Sequence, residues 1–554
     1  MNAHDAFRQA REFLIDVHGD PDRASASFRW PELESFNWTT HWFDDLAAGN
    51  RRPALRVVTD NGAETVSFEE LLDRSRRVAR YLRDAGVNRS DRILLMLTNV
   101  VPLWETMLAA IRLGAVVIPA TPQLTSADVD DRIERGGVRH MITDPQGAAK
   151  LTRPERLQVR LAVGAAPGFT SFDDARAAPA AIENADTRAD EPLLLYFTSG
   201  TTAKPKLVLH THTSYPVGHL STMYWLGLHE GDVHQNISSP GWAKHAWSCF
   251  FAPWNAGATI LVHESRFSAR HTIEVLRAEN VNTLCAPPTV WRMIALETLG
   301  ERPSRLRELA SAGEPLNPEV IDTVQRAWGI TIRDGYGQTE TTALVGNAPG
   351  LDVKPGSMGK PLPGYDVVLL DGQDRECDEG EVALRLTPRP LGLMQGYADD
   401  PDRTGRAMAS GFYRTGDEAR RDADGYVHFI GRGDDVFKSS DYRISPFEIE
   451  SALLEHDAVA EAAVVPSPDP LRLSVPKAFI VVKPGVEESA VTARSILEFC
   501  RANLAPYKRV RRLEFSILPK TISGKIRRVE LRNREAERRA RGERGASEFW
   551  SDEI

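Results

Sequence analysis

The segment from Leu193 to His210 reads LLLYFTSGTTAKPKLVLH. Two apolar runs enclose a loop of glycine, hydroxyl and basic residues, which predicts strand, loop and strand. The loop is Thr198-Ser199-Gly200-Thr201-Thr202-Ala203-Lys204-Pro205-Lys206. Small hydroxyl residues around a glycine let backbone N–H and side-chain O–H groups converge on an anion. Lys206 adds a full positive charge. The spacing does not match the Gly-x4-Gly-Lys-Ser/Thr loop of ordinary nucleotide hydrolases, which occurs nowhere in the chain.

Around this loop, helix and strand patterns alternate. SFEELLDRSRRVARYLRDAG has apolar residues at helical spacing and ends in Gly86. DRILLMLTNV reads as a buried strand, and VPLWETMLAAIRLGAVVIPA as a helix, a break at Gly114 and a further strand. Such alternation predicts a parallel sheet covered by helices. A second region of this kind runs from about 311 to 344. Residues 366–430 are richer in short strands, and the DG and EG dipeptides of YDVVLLDGQDRECDEGEVALRL read as hairpin turns. Beyond Gly431-Arg432-Gly433-Asp434-Asp435 the pattern becomes helix, strand, strand, helix, a compact α+β unit. The tail from Arg527 to Arg544, dense in Arg and Glu, reads as a solvated helix or a frayed end rather than a binding arm.

The 554 residues are 42% hydrophobic and 26% charged, enough to bury a large core without disulfide or metal staples. The charge sum, 68 − 77 = −9, argues against a general nucleic-acid binder. Cys249, Cys285, Cys377 and Cys500 form no CxxC pair, so neither a zinc site nor a disulfide framework is expected, and a reducing cytoplasm fits. The opening MNAHDAFRQAREFL lacks the apolar centre of a secretory signal, and no uncharged apolar stretch is long enough for a transmembrane helix.

Four further blocks follow the loop: Ala312-Gly313-Glu314-Pro315 with Asp334-Gly335-Tyr336-Gly337-Gln338-Thr339-Glu340; Tyr413-Arg414-Thr415-Gly416-Asp417; Gly431-Arg432-Gly433-Asp434-Asp435; and Leu518-Pro519-Lys520-Thr521-Ile522-Ser523-Gly524-Lys525. With TSGTTAKPK, and in this order, the chain resembles the adenylate-forming superfamily of acyl-CoA synthetases, luciferases and peptide-synthetase adenylation domains. It departs at Ala203, where the family usually has Gly.

The resemblance implies an α/β fold with a large N-terminal domain of helix-covered β-sheets plus a β-rich subdomain (1–433), and a small mobile α+β C-terminal domain (434–554). It implies ATP, Mg²⁺ and coenzyme A. Thr198 to Thr202 and Lys206 would hold the phosphates. The backbone of Gly313, Glu314 and Pro315 and the ring of Tyr336 would flank adenine, within the Asp334–Gln338 stretch. Thr339 would meet the α-phosphate and Glu340 would hold Mg²⁺. Asp417 and Arg432 would take the ribose hydroxyls, and Asp434 would be the hinge. Lys525 would enter the adenylating centre, where a carboxylate attacks the α-phosphorus and two anions must meet.

For the second half-reaction, the face carrying Ser440, Asp441, Tyr442 and Arg443 would meet coenzyme A. Asp441 departs from the usual Gly, and a carboxylate there is unfavourable beside an incoming thiolate. The segment Pro240–Trp254 resembles the medium-chain acyl-CoA synthetase branch, with Trp242, His245 and Trp247 as pocket-lining candidates. At Gly337, acetate-activating relatives usually carry a Trp that closes the pocket, so glycine is expected to leave that volume open to a medium-chain fatty acid or an aryl acid. The alternative is an adenylating enzyme that passes the acyl group to a carrier protein or another non-CoA acceptor.

Overall fold

The computed structural model describes residues 2–553 apart from 61, 199–204, 265–266, 434, 440–441, 470–471 and 522–524; of residues 442, 443 and 473 only the backbone is described. The chain forms two compact units, Met1–Val367 with Leu384–Tyr413, and Val368–Ala383 with Arg414–Ile554.

In the first unit the expected alternation is present. Helix Phe68–Asp84 starts on a capping box between Ser67 and Glu70. It buries Phe68, Leu71, Val78 and Leu82 along one stripe. Strand Arg92–Met96, helix Val101–Leu113 and strand Val116–Pro119 follow, with Gly114 left-handed (φ 67°) where the helix stops. The two strands pair in parallel. Every residue of Val101–Leu113 is buried, including Glu105 and Arg112. Those two charges are tolerated because they are paired: Arg176 donates to Glu105 at 2.8 and 3.0 Å, and Arg112 to Asp44 at 2.9 Å.

These strands belong to an eight-stranded sheet that ends in an antiparallel hairpin, Pro192–Thr198 with Lys206–Thr211, in which Thr198 stands opposite Lys206. The two expected strands are therefore present, and residues 199–204 that join them lie outside the described residues. The short strand Gly396–Tyr397 covers the hairpin's outer edge, pairing Tyr397 with Val208.

A nine-stranded sheet, parallel through its middle and antiparallel at both edges, holds the second region. Strand Glu308–Ala312 leads through helix Pro318–Trp328 to the parallel strand Ile332–Gly337. That strand turns back into Ala343–Gly346, so residues 338–342 form the turn at its end. Gly335 and Gly346 serve packing here: a Cβ on either would stand 2.4 Å from the ring of Trp225. No helix among the described residues is long and apolar enough to cross a membrane.

The second unit holds most of a four-stranded sheet in which Phe412–Arg421 pairs antiparallel with Val427–Arg432. Asp371-Gly372 does lie in a turn, but Glu379-Gly380 does not: it opens strand Glu379–Arg385. Glycine is needed there for close approach, since a Cβ on Gly380 would meet the carbonyl oxygen of Leu370 at 2.3 Å. Helix Pro446–Leu454, strands Val459–Asp469 and Leu473–Val482, and helix Ala490–Asn503 form the expected α+β module around one apolar core.

The tail is the expected helix, but one side of it is not solvated. Helix Arg528–Ala540 buries Leu531 and Glu535, and strand Glu548–Trp550 adds to Arg512–Phe515. The reason is Lys477, whose side chain is fully buried. Its Nζ stands 2.6 Å from Glu514, 2.7 Å from Glu535 and 2.8 Å from Glu548. Arg538 and Arg539 complete the cluster on Glu514 and Glu535, at 2.7 and 2.6 Å. Glu535, which looks solvated in sequence, is here one of three carboxylates around a buried lysine.

Candidate active site

In the first unit, Lys206 opens the second strand of the hairpin, and its Nζ lies 3.4 Å from both Glu340 Oε1 and the Tyr397 hydroxyl. Tyr397 donates to the same Glu340 oxygen at 3.0 Å and places its ring 5.2 Å beneath the ammonium. Burial, with the Glu340 charge beside it, pushes the Tyr397 phenol far above its usual range, so it remains a donor. Glu340 is only 7% exposed. Its backbone carbonyl accepts from Met394 N–H at 2.8 Å.

The turn carrying Thr339 and Glu340 is held from several sides. Gln338 N–H donates to Thr341 Oγ1 at 3.0 Å, and the Tyr413 hydroxyl donates to Gln338 Oε1 at 2.9 Å. The Thr339 carbonyl accepts from His210 Nε2 at 2.7 Å. Tyr397 and His210 were not singled out in the sequence. His210 does carry a signal, since it lies four residues beyond Lys206 on a strand and so shares its face. Tyr397 carries none.

Gly313 adopts φ +115°, a backbone that side chains rarely accept, with open space at its Cα. Glu314 pairs loosely with Arg292 at 3.8 Å, and Pro315 follows in the same bend. Along strand Ile332–Gly337, alternation turns Asp334 and Tyr336 away from the Trp225 face that Gly335 serves. Asp334 is buried, which pushes its carboxyl up to about 7 against the backbone N–H of Leu316.

Trp242 and His245 line an apolar cavity with Leu95, Leu103, Met107 and Phe250. His245 is buried, which lowers its imidazole to about 3, so it is neutral and donates Nε2–H to Asn99 Oδ1 at 3.0 Å. Trp247 and Gly337 are not among the residues lining this cavity. The volume expected to be open at Gly337 is filled: a Cβ there would stand 2.7 Å from the Trp247 ring and 2.2 Å from the Thr342 carbonyl oxygen. Trp247 is fixed by donating its indole N–H to the Tyr215 hydroxyl at 2.7 Å. Gly337→Ala is therefore expected to destabilise the chain by roughly 1–3 kcal/mol, the usual cost of overpacking. Thermal unfolding checks this, and an unchanged midpoint would mean that Trp247 yields.

In the second unit, the antiparallel register sets Asp417 directly opposite Arg432. Asp417 is 7% exposed, and its backbone N–H donates to Thr415 Oγ1 at 3.1 Å. Lys525 is exposed, and two bonds tie it to Thr521: Thr521 N–H to the Lys525 carbonyl (2.7 Å) and Lys525 N–H to Thr521 Oγ1 (3.1 Å). Its ammonium has no ion-pair partner among the described residues, unlike Lys520, which pairs with Glu461 at 2.7 Å. Ser199, Gly200, Thr201, Thr202, Asp434, Ser440 and Asp441 lie outside the described residues, as do the side chains of Tyr442 and Arg443. The backbone of these last two pairs with Ser439 and Lys438.

A family model described as AMP-binding enzyme matches residues 45–398, and one described as AMP-binding enzyme C-terminal domain matches residues 448–525. The chain belongs to the AMP-binding enzyme family. Within it, this enzyme is an acyl-CoA synthetase of the adenylate-forming superfamily. It is similar to 4-hydroxybutyrate--CoA ligase 1 of Metallosphaera sedula, 44% identical over 94% of each chain. It is also similar to the mitochondrial acyl-coenzyme A synthetase ACSM3 of Mus musculus, 40% identical over 89% of each chain. Among solved structures, an anthranilate CoA ligase in complex with anthranoyl-AMP superimposes with a TM-score of 0.83 at 28% identity, covering 92% of this AMP-binding enzyme and 99% of that chain.

Proposed function

We propose that this enzyme joins a medium-chain fatty acid or an aryl acid to coenzyme A in two steps. A carboxylate oxygen attacks the α-phosphorus of ATP, giving acyl-AMP and pyrophosphate. The coenzyme A sulfur, having lost its proton, then attacks the acyl carbon, and AMP leaves with the electron pair of the broken C–O bond. The observation that carries the first step is the trio of Lys206, Glu340 and Tyr397 at the start of the hairpin's second strand.

Glu340 fits Mg²⁺: a hard divalent ion takes carboxylate oxygen, and this buried carboxylate is already balanced by an ammonium at 3.4 Å. When bound, the ion neutralises phosphate charge as it develops. Thr339 meets the α-phosphate. Thr198 and Lys206, with Ser199 to Thr202, hold the phosphates that leave. Gly313, Glu314, Pro315 and Tyr336, with Asp334, Gly335, Gly337 and Gln338 behind them, bound the base. Asp417 and Arg432 take the ribose, which their opposed register supports.

The functional division runs at residue 433, with Asp434 as hinge and 434–554 as the module that brings Lys525 to the first step. Ser440, Asp441, Tyr442 and Arg443 meet coenzyme A in the second. The reaction takes place in the cytoplasm, a reading supported by four cysteines that are all unpaired.

The acid class rests on the apolar lining of the cavity at Trp242 and His245. The test supplies ATP, Mg²⁺ and one of acetate, hexanoate, benzoate or 4-hydroxybutyrate, with and without coenzyme A, and identifies products by mass. Acyl-CoA from hexanoate or benzoate in preference to acetate is expected. A clear preference for acetate would sink the acid class. Acyl-AMP that accumulates unchanged in the presence of coenzyme A would favour a carrier protein or another acceptor.

A further inference from the structure

We propose that His210 is a positioning residue for adenylation, holding the Thr339 carbonyl and so setting the turn that presents Thr339 and Glu340 to the nucleotide. This rests on the roles proposed above for those two residues. The geometry stands on its own. A carbonyl only accepts, so the 2.7 Å contact from Nε2 to the Thr339 oxygen requires the proton on Nε2. Nδ1 must then accept, and Ser214 Oγ lies 2.9 Å from it. Ser214 is oriented to donate, because its oxygen already accepts from Thr211 N–H at 2.8 Å. A relay of Thr211, Ser214 and His210 thus fixes one tautomer and aims one N–H at one carbonyl.

His210 is wholly buried, and its ring lies 4.2 Å from that of Tyr215, so it has little freedom to turn. Burial also holds the imidazole neutral, far below its usual range at about 3. The bond links the hairpin that begins with Lys206 to a turn 129 residues away. It runs parallel to the Lys206–Glu340 contact, so the two clamp the same pair of elements. Hydrogen bonds aimed at a carbonyl behind a reacting group act by geometry, and a displacement of 1 Å can cost about 10²-fold in rate.

The test compares His210→Leu, which removes the donor, with His210→Gln, whose amide nitrogen can reach the place of Nε2. Carboxylate-dependent pyrophosphate release and calorimetric ATP binding across a Mg²⁺ titration are measured on the full chain. His210→Leu is expected to lower kcat by about 10- to 100-fold, with KM for the acid held within about twofold. It should also raise the Mg²⁺ needed for half-maximal ATP binding. His210→Gln should recover most of both losses. Equal impairment in the two variants, or unchanged kcat and Mg²⁺ dependence in His210→Leu, would overturn the proposal. Glu340→Gln runs alongside: if it leaves the Mg²⁺ dependence untouched, the role of Glu340 fails rather than that of His210.

Discussion

Lys525→Ala is expected to cut carboxylate-dependent pyrophosphate release by about 10²-fold or more, the scale seen when one aimed electrostatic group is lost. The reason is charge. A carboxylate and a triphosphate repel each other, and the incoming bond forms only where a cation lies between them. Lys525 suits that task because its ammonium is exposed and unpaired among the described residues, and its backbone is tied to Thr521 by two hydrogen bonds. Lys520→Ala is the control, since that lysine is engaged with Glu461. Loss of activity in Lys525→Ala but not in Lys520→Ala is the expected pattern. A Lys525→Ala rate within about threefold of the parent, under one kcal/mol by the rate–energy relation, would remove the residue from the reaction.

The second large effect concerns stability. Lys477→Met keeps most of the side-chain length and removes the charge, leaving Glu514, Glu535 and Glu548 crowded together in the interior. Breaking a buried ion pair by removing one partner costs about 3–5 kcal/mol, and here one cation serves three carboxylates. Chemical denaturation of the full chain should show an early transition, and an unchanged midpoint would mean that Arg538 and Arg539 suffice as counter-charges. Acid supplies a second readout. Burial raises the Glu548 carboxyl, but Lys477, Gly545 N–H and the Trp550 indole outweigh it, bringing the group down from 4.5 to about 2. A lowered carboxylate contributes stability that is whole above pH 4.5 and fades as pH falls toward 2. In Lys477→Met that loss should shrink or reverse, because protonation then relieves the repulsion among the three carboxylates.

The strands Pro192–Thr198 and Lys206–Thr211, the alternating elements from 68 to 119 and the C-terminal α+β module were all legible in the sequence. Each is encoded locally: a strand by its apolar run, a helix by spacing and a cap at Ser67, a stop by Gly114. The open volume at Gly337 was not legible as filled, because the ring that occupies it belongs to Trp247, ninety residues earlier in the chain. Nor did the dipeptide Glu379-Gly380 reveal that its glycine admits a neighbouring strand rather than turning one.

By itself, then, the sequence determined which chemistry-bearing residues this enzyme has and the order in which they occur, since residue type and short-range spacing already decide strands, helices and anion loops. Only the tertiary structure decided which of them touch. Tyr397 reaches Glu340, His210 reaches the Thr339 carbonyl, and Asp417 faces Arg432 through sheet register and long-range packing. It alone could also show that Glu514, Glu535 and Glu548 are buried: a charged residue reads as solvated unless the burial of its partner, set by remote segments, is known.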